Sequence, residues 1–336
     1  INTYGKSTDV YLIDKSIMKK ENKYKPLDAM EYPRFEGIRT FMRLPHETNL
    51  KEIDFTIVGV PFDTGGTFRV GARFGPSGIR DNSLLLRPYN PAQNIEIFKY
   101  CSGSDYGDLP IIPGYLPESH KLIQEGAEKI FEQNTIPIFM GGDHSVSLPL
   151  LRAVKKEHGP VALIHFDAHS DLWHGYFDNK DTHGTPFRRA IEEGLIDTSR
   201  SSQIGLRGPL YDLEDYQMSK EEGLLAITGP ELHKIGNQKA IEMIKERVGN
   251  GPAYLTFDID FIDPAFAPGT GTPEAGGFTG YDGIEIVRGL TDINFIGYDM
   301  VEVMPPYDPA EITSLLAANI MYEFISLIAI EKKKSE

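Results

Sequence analysis

The chain has 336 residues, of which 34 are Lys or Arg and 49 are Asp or Glu, so its formal net charge at pH 7 is −15. Such an acidic surface repels polyanions, which excludes nucleic acid and anionic membranes as partners. With 40% hydrophobic residues the chain can fill a large core, which excludes intrinsic disorder. A single cysteine, Cys101, excludes a disulfide scaffold.

Localisation and membrane association follow from the same counts. The most apolar stretch, Ile312 to Ile330, is interrupted by Asn319 and Glu323. It falls short of the roughly 20 apolar residues that cross a bilayer. We therefore expect no membrane-spanning segment and, because no disulfide pair is present, a cytoplasmic protein. The first residues lack the order of a signal peptide, an observation that does not extend to anything preceding Ile1.

In chain order, residues 1–50 mix charge, aromatics and proline without a period, and we interpret them as an arm packed on the body. Residues 51–336 contain no linker-like tract, and we interpret them as one domain. Its short apolar runs predict strands at Phe55 to Val60, Ile136 to Met140, Val161 to Phe166, Gln203 to Leu206, Leu224 to Ile227, Ala253 to Phe257 and Phe295 to Val301. Helical spacing predicts helices at Leu122 to Phe131, Leu148 to His158, Glu231 to Val248, Asp282 to Leu290 and Ile312 to Ile330.

The alternation of these segments indicates the fold class. Strands that are apolar on both faces and alternate with helices are typical of a parallel sheet covered on both sides. We predict an α/β fold, specifically a three-layer α/β/α domain with a mostly parallel central sheet. The glycine-rich stretch from Gly65 to Gly78 matches neither a dinucleotide fingerprint nor a phosphate loop, and we interpret it as turns near a site.

Histidines are concentrated in one part of the chain. Six of the nine lie within 40 residues: His144, His158, His165, His169, His174 and His183. The segment from His165 to Asp171 follows an apolar strand and carries His or Asp at every second position. In extended backbone, alternate side chains share one face. His158 ends a predicted helix and is interpreted as structural.

Three predicted strands end in residues that can bind metal. Parallel strands bring their carboxyl ends to one edge of a sheet, so these side chains should converge. The set comprises His144, Asp167, His169, Asp171, Asp258 and Asp260. Four clustered carboxylates repel one another unless cations lie between them. Two imidazoles and four carboxylates suit two divalent ions, Mn²⁺ before Zn²⁺, with Ni²⁺ and Co²⁺ as alternatives. Helix caps and surface acids would explain one Asp-x-Asp pair, but not three complementary motifs.

A pair of ions predicts hydrolytic chemistry, because a water between two metals ionises near neutral pH and becomes a nucleophile. His183, on a predicted loop above the same edge, is our candidate general acid. Glu302 ends the strand Phe295 to Val301, and an unpaired carboxylate there would grip a planar guanidinium. The alternative for Glu302 is an ordinary acid at the end of a strand.

These motifs resemble those of the ureohydrolases, the arginase and agmatinase family, from about Phe55 to Ile330. The resemblance is carried by Gly141 to Ser145, Asp167 to Asp171, Thr256 to Pro264 and Ala267 to Pro273. It implies an arginase-like fold, a binuclear manganese site and a homo-oligomer, either trimer or hexamer. One ion would be held by His144, Asp167, Asp171 and Asp258, and the other by Asp167, His169, Asp258 and Asp260. His165 and His174 have no ligand role in that pattern.

The reaction that the resemblance implies is hydrolysis of a guanidino compound to urea and an amine. A hydroxide between the metals would attack the guanidinium carbon, and Asp171 would orient that hydroxide by a hydrogen bond. His183 would help protonate the departing amine, and Glu302 would hold the guanidinium.

The substrate is less constrained than the reaction. Arginases carry Ser-Gly-Asn just before the counterpart of His183, whereas this chain has Asn179 to Thr182 there, which is similar to agmatinases and to hydrolases of guanidinobutyrate or guanidinopropionate. A substrate carboxylate would need a cation, for which the candidates are Arg69, Arg73, Arg188, Arg189 and Arg207. Trp173 and Tyr176 could stack on a planar cation. The alternatives are hydrolysis of free guanidine or formiminoglutamate, and a non-catalytic scaffold, which would not need His183 or Glu302.

Overall fold

The computed structural model describes residues 22–335, without the side chain of Tyr216. Its central sheet has eight strands, all paired in parallel, in the order β4-β1-β5-β10-β9-β6-β7-β8. These strands are β1 (Phe55–Val60), β4 (Gly103–Asp108), β5 (Ile136–Gly141), β6 (Ala162–Phe166), β7 (Ser202–Leu206), β8 (Leu225–Thr228), β9 (Pro252–Asp258) and β10 (Asn294–Val301). A separate antiparallel pair consists of β2 (Tyr89–Asn90) and β3 (Ile95–Glu96).

Helices cover both faces of the sheet. They are α1 (Gly75–Ser83), α2 (Ile97–Tyr100), α3 (Leu116–Phe131), α4 (Ser147–His158), α5 (Pro186–Glu192), α6 (Leu213–Glu221), α7 (Gly229–Ile235), α8 (Asn237–Val248), α9 (Gly280–Gly289) and α10 (Ile312–Lys334). Alternate residues of β1 pack into two separate cores. Phe55 and Ile57 join the core under α8, α9 and α10, whereas Val58 and Val60 join the core under α3 and α4. The predicted three-layer α/β/α architecture is confirmed.

All seven predicted strands occur, with ends within one residue of the expected positions. The eighth, β4, has the sequence Gly-Ser-Asp-Tyr-Gly-Asp, and it escaped prediction because it is polar and lies at the edge of the sheet. The single helix expected from Glu231 to Val248 is wrong. It is divided into α7 and α8 at Gly236, whose φ of +76° ends the first helix.

The described part of the expected arm, residues 22–50, is attached to the sheet and to α1. The Phe41 N–H donates to Asp105 Oδ2 at 2.8 Å, and the Met42 N–H donates to Ser83 Oγ at 2.8 Å. Both arm side chains are buried in the core under α10. Residues 1–21 of the arm lie outside the described residues, so the division into an arm and one domain, 51–336, stays a prediction.

Helix α10 departs from the expectation that no segment could span a membrane. Within residues 22–335 it is the one helix whose length and composition would allow a span, counted from Pro309 to Lys334. However, 78% of its apolar window is buried in the fold, as in a core helix. Its buried Glu323 accepts hydrogen bonds from Arg288 at 2.7 Å and Asn90 at 3.1 Å. The helix is therefore weak evidence for a membrane span.

Candidate metal centre

Four neighbouring strands in the middle of the sheet bring the candidate site together. Strands β5, β10, β9 and β6 are adjacent, and all run in the same direction. His144 and Glu302 follow β5 and β10, whereas Asp258 ends β9 and Asp167 follows β6. All four side chains therefore lie at one edge, buried beneath the loops that follow the strands.

The first ligand cluster surrounds Nδ1 of His144. This nitrogen lies 3.1 Å from Asp167 Oδ2, 3.0 Å from Asp171 Oδ2 and 3.2 Å from Asp258 Oδ2. It is buried and has no hydrogen-bond partner among the described residues, while Nε2 of the same ring contacts Thr256 Oγ1 at 2.9 Å. Two ligands bonded to one ion at about 2.1 Å and at right angles lie about 3.0 Å apart. The spacing of these atoms therefore fits a cation between them.

The second cluster surrounds Nδ1 of His169, which lies 3.4 Å from Asp167 Oδ1 and 3.0 Å from Asp260 Oδ2. Asp260 Oδ2 is buried and likewise lacks a hydrogen-bond partner among the described residues. Asp167 thus presents Oδ2 to the first cluster and Oδ1 to the second. Its carboxylate has the orientation that a bridging ligand requires.

Asp258 contacts the first cluster only. Its Oδ2 lies near His144, and its Oδ1 accepts the Asp260 N–H at 2.8 Å. The expected bridging role of Asp258 therefore stays a prediction. Asp171 has a φ of +51°, a left-handed conformation that costs energy in a non-glycine residue and is common at functional sites. The chain accepts this strain where it directs the Asp171 carboxylate at His144.

Crowded charge perturbs the pKa values of the cluster. Burial, together with the charges of Asp260 and Asp167, raises the pKa of Asp258 well above its usual range. Burial would lower the pKa of His144, but its three carboxylate neighbours raise it well above the usual value. Excess negative charge in a buried site is what a divalent cation relieves. The donor set therefore fits one or more divalent ions.

His183 and Glu302 form a pair beside the first cluster. His183 Nδ1 lies 3.1 Å from Glu302 Oε1, which also accepts the His144 N–H at 2.9 Å. Glu302 is therefore not the wholly unpaired carboxylate that the sequence indicated. Its Oε2, however, is buried and has no hydrogen-bond partner among residues 22–335. Although burial opposes it, the hydrogen bond and charge of Glu302 raise the pKa of His183 to about 9.

The loop after β1 holds His183 from the other side. Thr67 Oγ1 lies 2.7 Å from His183 Nε2, and Gly65 O accepts the His183 N–H at 3.0 Å. The Gly65 N–H in turn donates to Asp143 Oδ2 at 2.6 Å. Gly65, at the start of the glycine-rich stretch, thus lies beside the site, whereas Gly75 and Gly78 belong to helix α1 and not to turns. Nothing in the residue type of Thr67 marked it in the sequence, because its role depends on the contact between two distant loops.

The candidate site opens into a cleft of about 330 Å³. It is lined by Thr67, His169, Asp171, Trp173, Tyr176, His183, Gly184, Pro209, Leu210, Tyr211, Asp258, Thr272 and Glu274. The rings of Trp173 and Tyr176 meet edge to face with centroids 5.4 Å apart. The described lining contains no Lys or Arg, while Glu274 adds a carboxylate beyond the two clusters.

The five arginines considered as partners for a substrate carboxylate are engaged elsewhere. Arg73, Arg188 and Arg189 pair with carboxylates, and Arg69 and Arg207 donate to backbone carbonyls. Arg73 pairs with Asp63, Arg188 with Glu222 and Arg189 with Glu192. Arg69 donates to the Thr270 carbonyl, and Arg207 donates to the carbonyls of Asp260 and Glu274. None of them lines the cleft.

His165 was left out of the site on the family pattern, yet it contacts the cluster directly. Its Nε2 lies 2.7 Å from Asp167 Oδ2. With His144, Asp167 and Asp171 it forms a group close enough to surround one ion. The period-two alternation from His165 to Asp171 was the sequence signal for this contact.

Comparisons with known proteins agree with this geometry. The model of the arginase family matches residues 53–326. The chain is 45% identical to a guanidinobutyrase of Pseudomonas aeruginosa, covering 92% of this chain and 98% of that protein. It is also 45% identical to a guanidinopropionase of the same organism, over 90% and 96% of the two chains.

A solved structure extends the likeness to three dimensions. Proclavaminate amidino hydrolase from Streptomyces clavuligerus superposes with a TM-score of 0.85 at 38% identity, covering 89% of this chain and 99% of the other. The family match to residues 53–326 includes every strand end that carries a candidate ligand. The chain therefore belongs to the arginase family and is a ureohydrolase.

Proposed function

We propose that the protein hydrolyses a small guanidino compound, such as agmatine or guanidinobutyrate, to urea and an amine at a site with two divalent metal ions. The observation that carries the proposal is the position of Asp167. Asp167 Oδ2 lies 3.1 Å from His144 Nδ1, and Asp167 Oδ1 lies 3.4 Å from His169 Nδ1. A carboxylate shared in this way separates two cations and binds both.

The proposed ligand sets are those that the resemblance to the ureohydrolases implies. His144, Asp167, Asp171 and Asp258 would hold one ion, and Asp167, His169, Asp258 and Asp260 would hold the other. Oxygen-rich sites without thiolates favour Mn²⁺, with Ni²⁺ and Co²⁺ as the alternatives. Divalent ions bound here would supply a nucleophile near neutral pH, because metal-bound water has a lowered pKa.

Side chains of the chain itself supply the remaining functions. Glu302 Oε2, buried and unpartnered among the described residues, is the proposed acceptor for guanidinium N–H groups. His183, whose pKa is raised to about 9, is protonated at neutral pH and is the proposed proton donor to the departing amine. Asp171, which lies 3.0 Å from His144 Nδ1, is the proposed partner that orients the nucleophile.

The group at the far end of the substrate, its tail, is less determined than the guanidino group. The named relatives act on guanidino acids, whereas the described lining of this cleft offers a carboxylate, Glu274, and no Lys or Arg. A cationic tail, as in agmatine, suits that lining better than an anionic one. We accordingly place agmatine beside guanidinobutyrate as the leading candidates. A homo-oligomer, trimer or hexamer, and a cytoplasmic location stay predictions.

A urea-release panel tests the proposal. Protein loaded with Mn²⁺, and separately with Ni²⁺, is assayed with agmatine, guanidinobutyrate, guanidinopropionate, guanidine, arginine and formiminoglutamate, with formamide measured for the last. We expect urea from at least one guanidino compound with a tail, and loss of turnover when the metal is chelated. Product from formiminoglutamate alone would replace the proposed reaction with its closest alternative. No product from any compound would favour a non-catalytic scaffold.

A further inference from the structure

A chain of buried polar side chains leads from α6 to the shared carboxylate. Ser219 Oγ lies 2.6 Å from Gln203 Oε1, and Gln203 Nε2 lies 2.9 Å from His165 Nδ1. His165 Nε2 then lies 2.7 Å from Asp167 Oδ2. His165 and Gln203 are fully buried, and Ser219 is 2% exposed. Every contact in this chain lies within hydrogen-bond distance, away from solvent.

The orientation of the Gln203 amide is fixed by a backbone group. Gln203 Nε2 lies 2.7 Å from the carbonyl oxygen of Ser170, which can only accept a hydrogen bond. The amide NH₂ must therefore face that carbonyl, because a flipped amide would bring two oxygens together. The second N–H of the same NH₂ group points at His165 Nδ1, and the amide oxygen accepts the Ser219 hydroxyl.

The amide orientation in turn fixes the tautomer of His165. Since Nδ1 accepts a hydrogen bond from Gln203, the ring proton of neutral His165 is on Nε2. That N–H donates to Asp167 Oδ2, the carboxylate oxygen that faces His144. The Ser170 carbonyl thus determines, through Gln203 and His165, which nitrogen of His165 is protonated. As a result, Asp167 faces an N–H donor and not an unprotonated ring nitrogen.

We propose that His165 is a positioning residue, which orients the Asp167 carboxylate so that its two oxygens face the two ligand clusters. The proposal rests on the two-ion site proposed above. Phe187 packs on His165 with ring centroids 4.3 Å apart and on His144 at 5.1 Å. These rings cover His165, so a water is poorly placed to replace its N–H. Loss of that donor frees the Asp167 carboxylate to rotate. The affinity for the ion on the His144 side should then fall more than the affinity for the other ion.

The variant His165→Phe tests this role, because it keeps an aromatic ring against Phe187 and removes the donor. Metal-free protein is titrated with Mn²⁺ by calorimetry. Wild type is expected to bind two ions, and the variant to bind one of them about 10-fold to 100-fold more weakly, the usual loss when a partner of a metal ligand is removed. His158→Phe is the matched control, since His158 contacts Phe131 away from the site and should leave both affinities unchanged.

A spectroscopic readout separates positioning from a general loss of structure. In electron paramagnetic resonance at two equivalents of Mn²⁺, wild type should show a coupled pair, and His165→Phe an added signal from uncoupled Mn²⁺. His165→Gln, which offers an amide N–H in the same direction, should recover part of the coupled signal. Equal coupling and equal affinity in His165→Phe and wild type would overturn the proposal.

Gln203→Leu keeps the inference testable should His165→Phe fail to fold. It removes the donor to His165 Nδ1, so the ring proton can move to Nδ1 and the hydrogen bond to Asp167 is partly lost. We expect a weakening of the same ion that is smaller than in His165→Phe, and unchanged binding would contradict the proposed chain. A wild type that binds no Mn²⁺ pair would instead overturn the proposed function, so the two failures are distinguishable.

Discussion

Asp167 is the residue on which both ligand clusters depend. Its Oδ2 receives the His165 N–H and faces His144, while its Oδ1 accepts the His169 N–H at 2.6 Å. Despite the opposing effect of burial, the neighbouring His165, His144 and His169 hold its pKa well below the usual range. Asp167 is therefore ionised at neutral pH, which suits a ligand shared by two cations.

The variant His183→Ala separates proton donation from metal binding. The His183 ring contacts Glu302 and Thr67, and among residues 22–335 it makes no hydrogen bond or ion pair with a proposed ligand side chain. We expect Mn²⁺ content to stay at the wild-type level and turnover to fall by about 10²-fold to 10⁴-fold, the usual contribution of a general acid. Metal content by elemental analysis and urea release provide the two readouts, with His158→Ala as control. Loss of metal together with activity would assign His183 a structural role at the site.

The pH dependence of stability tests the His183–Glu302 pair in metal-free protein. The pKa of His183 is raised from 6.5 to about 9 in the folded chain, chiefly by Glu302 acting against burial. The stability that this pair contributes is fully present below pH 6.5 and is lost as the pH rises through about 9. We therefore expect the difference in Tm between wild type and Glu302→Gln to be larger at pH 6 than at pH 10. A difference that is the same at both pH values would show that the pair does not titrate in this range.

At the scale of elements, the end of β5 must pass very close to the loop after β1. A Cβ on Gly142 would lie 1.8 Å from the backbone oxygen of Phe62, closer than any real contact. The Gly142 N–H donates to Val60 O, and its carbonyl accepts the Glu302 N–H at 2.9 Å. Gly142 thus joins β1, β5 and the turn after β10, and positions His144 two residues later.

Gly142→Ala should therefore damage fold and site together. The main chain must move to admit the methyl group, which we expect to cost about 3 kcal/mol or more and to displace His144. Thermal unfolding and Mn²⁺ titration measure the two effects. Gly280→Ala is the control, because its methyl group would meet only the end of the Leu316 side chain, at 3.1 Å. A Gly142→Ala variant with near-normal Tm and near-normal Mn²⁺ affinity would show that Gly142 and Phe62 are not packed as closely as described.

The elements also show what the sequence could and could not predict. Strands such as β5 and β9 were found because they are short, apolar and followed by polar motifs, and the ligands at their ends were visible for the same reason. Helix α1, with the sequence Gly-Pro-Ser-Gly-Ile-Arg-Asp-Asn-Ser, has no apolar period and was missed. The pairing of Glu302 with His183 could not be predicted either, because it joins loops 119 residues apart.

At the scale of the whole molecule, the acidic balance has two parts. Four of the acids behind the charge of −15 are Asp167, Asp171, Asp258 and Asp260, the proposed ligands. Two divalent ions would bring the formal charge to about −11. The remaining acidity includes Glu274 in the cleft, where Glu274 Oε1 lies 3.8 Å from His169 Nε2. Glu274 therefore adds a negative charge to a cleft whose described lining contains no Lys or Arg.

Glu274→Gln tests whether that cleft charge selects the substrate. Agmatine carries a cationic tail and guanidinobutyrate an anionic one, so removal of a carboxylate should lower kcat/KM for agmatine relative to guanidinobutyrate. We expect a relative change of about five-fold, equivalent to about 1 kcal/mol for a partly exposed charge pair. Glu118→Gln, on the exposed side of α3, is the control. An equal change for both substrates would mean that Glu274 acts through His169 and not on the tail.

The proposed reaction depends on a two-ion site built around Asp167, and anomalous diffraction from crystals grown with Mn²⁺ would locate both ions. At the manganese absorption edge we expect two peaks about 3.5 Å apart. One should lie beside His144 Nδ1 and the other beside His169 Nδ1, with Asp167 touching both. If the protein retains Mn²⁺-dependent urea release but shows a single peak, or no peak, between these two histidines, the two-ion site is wrong.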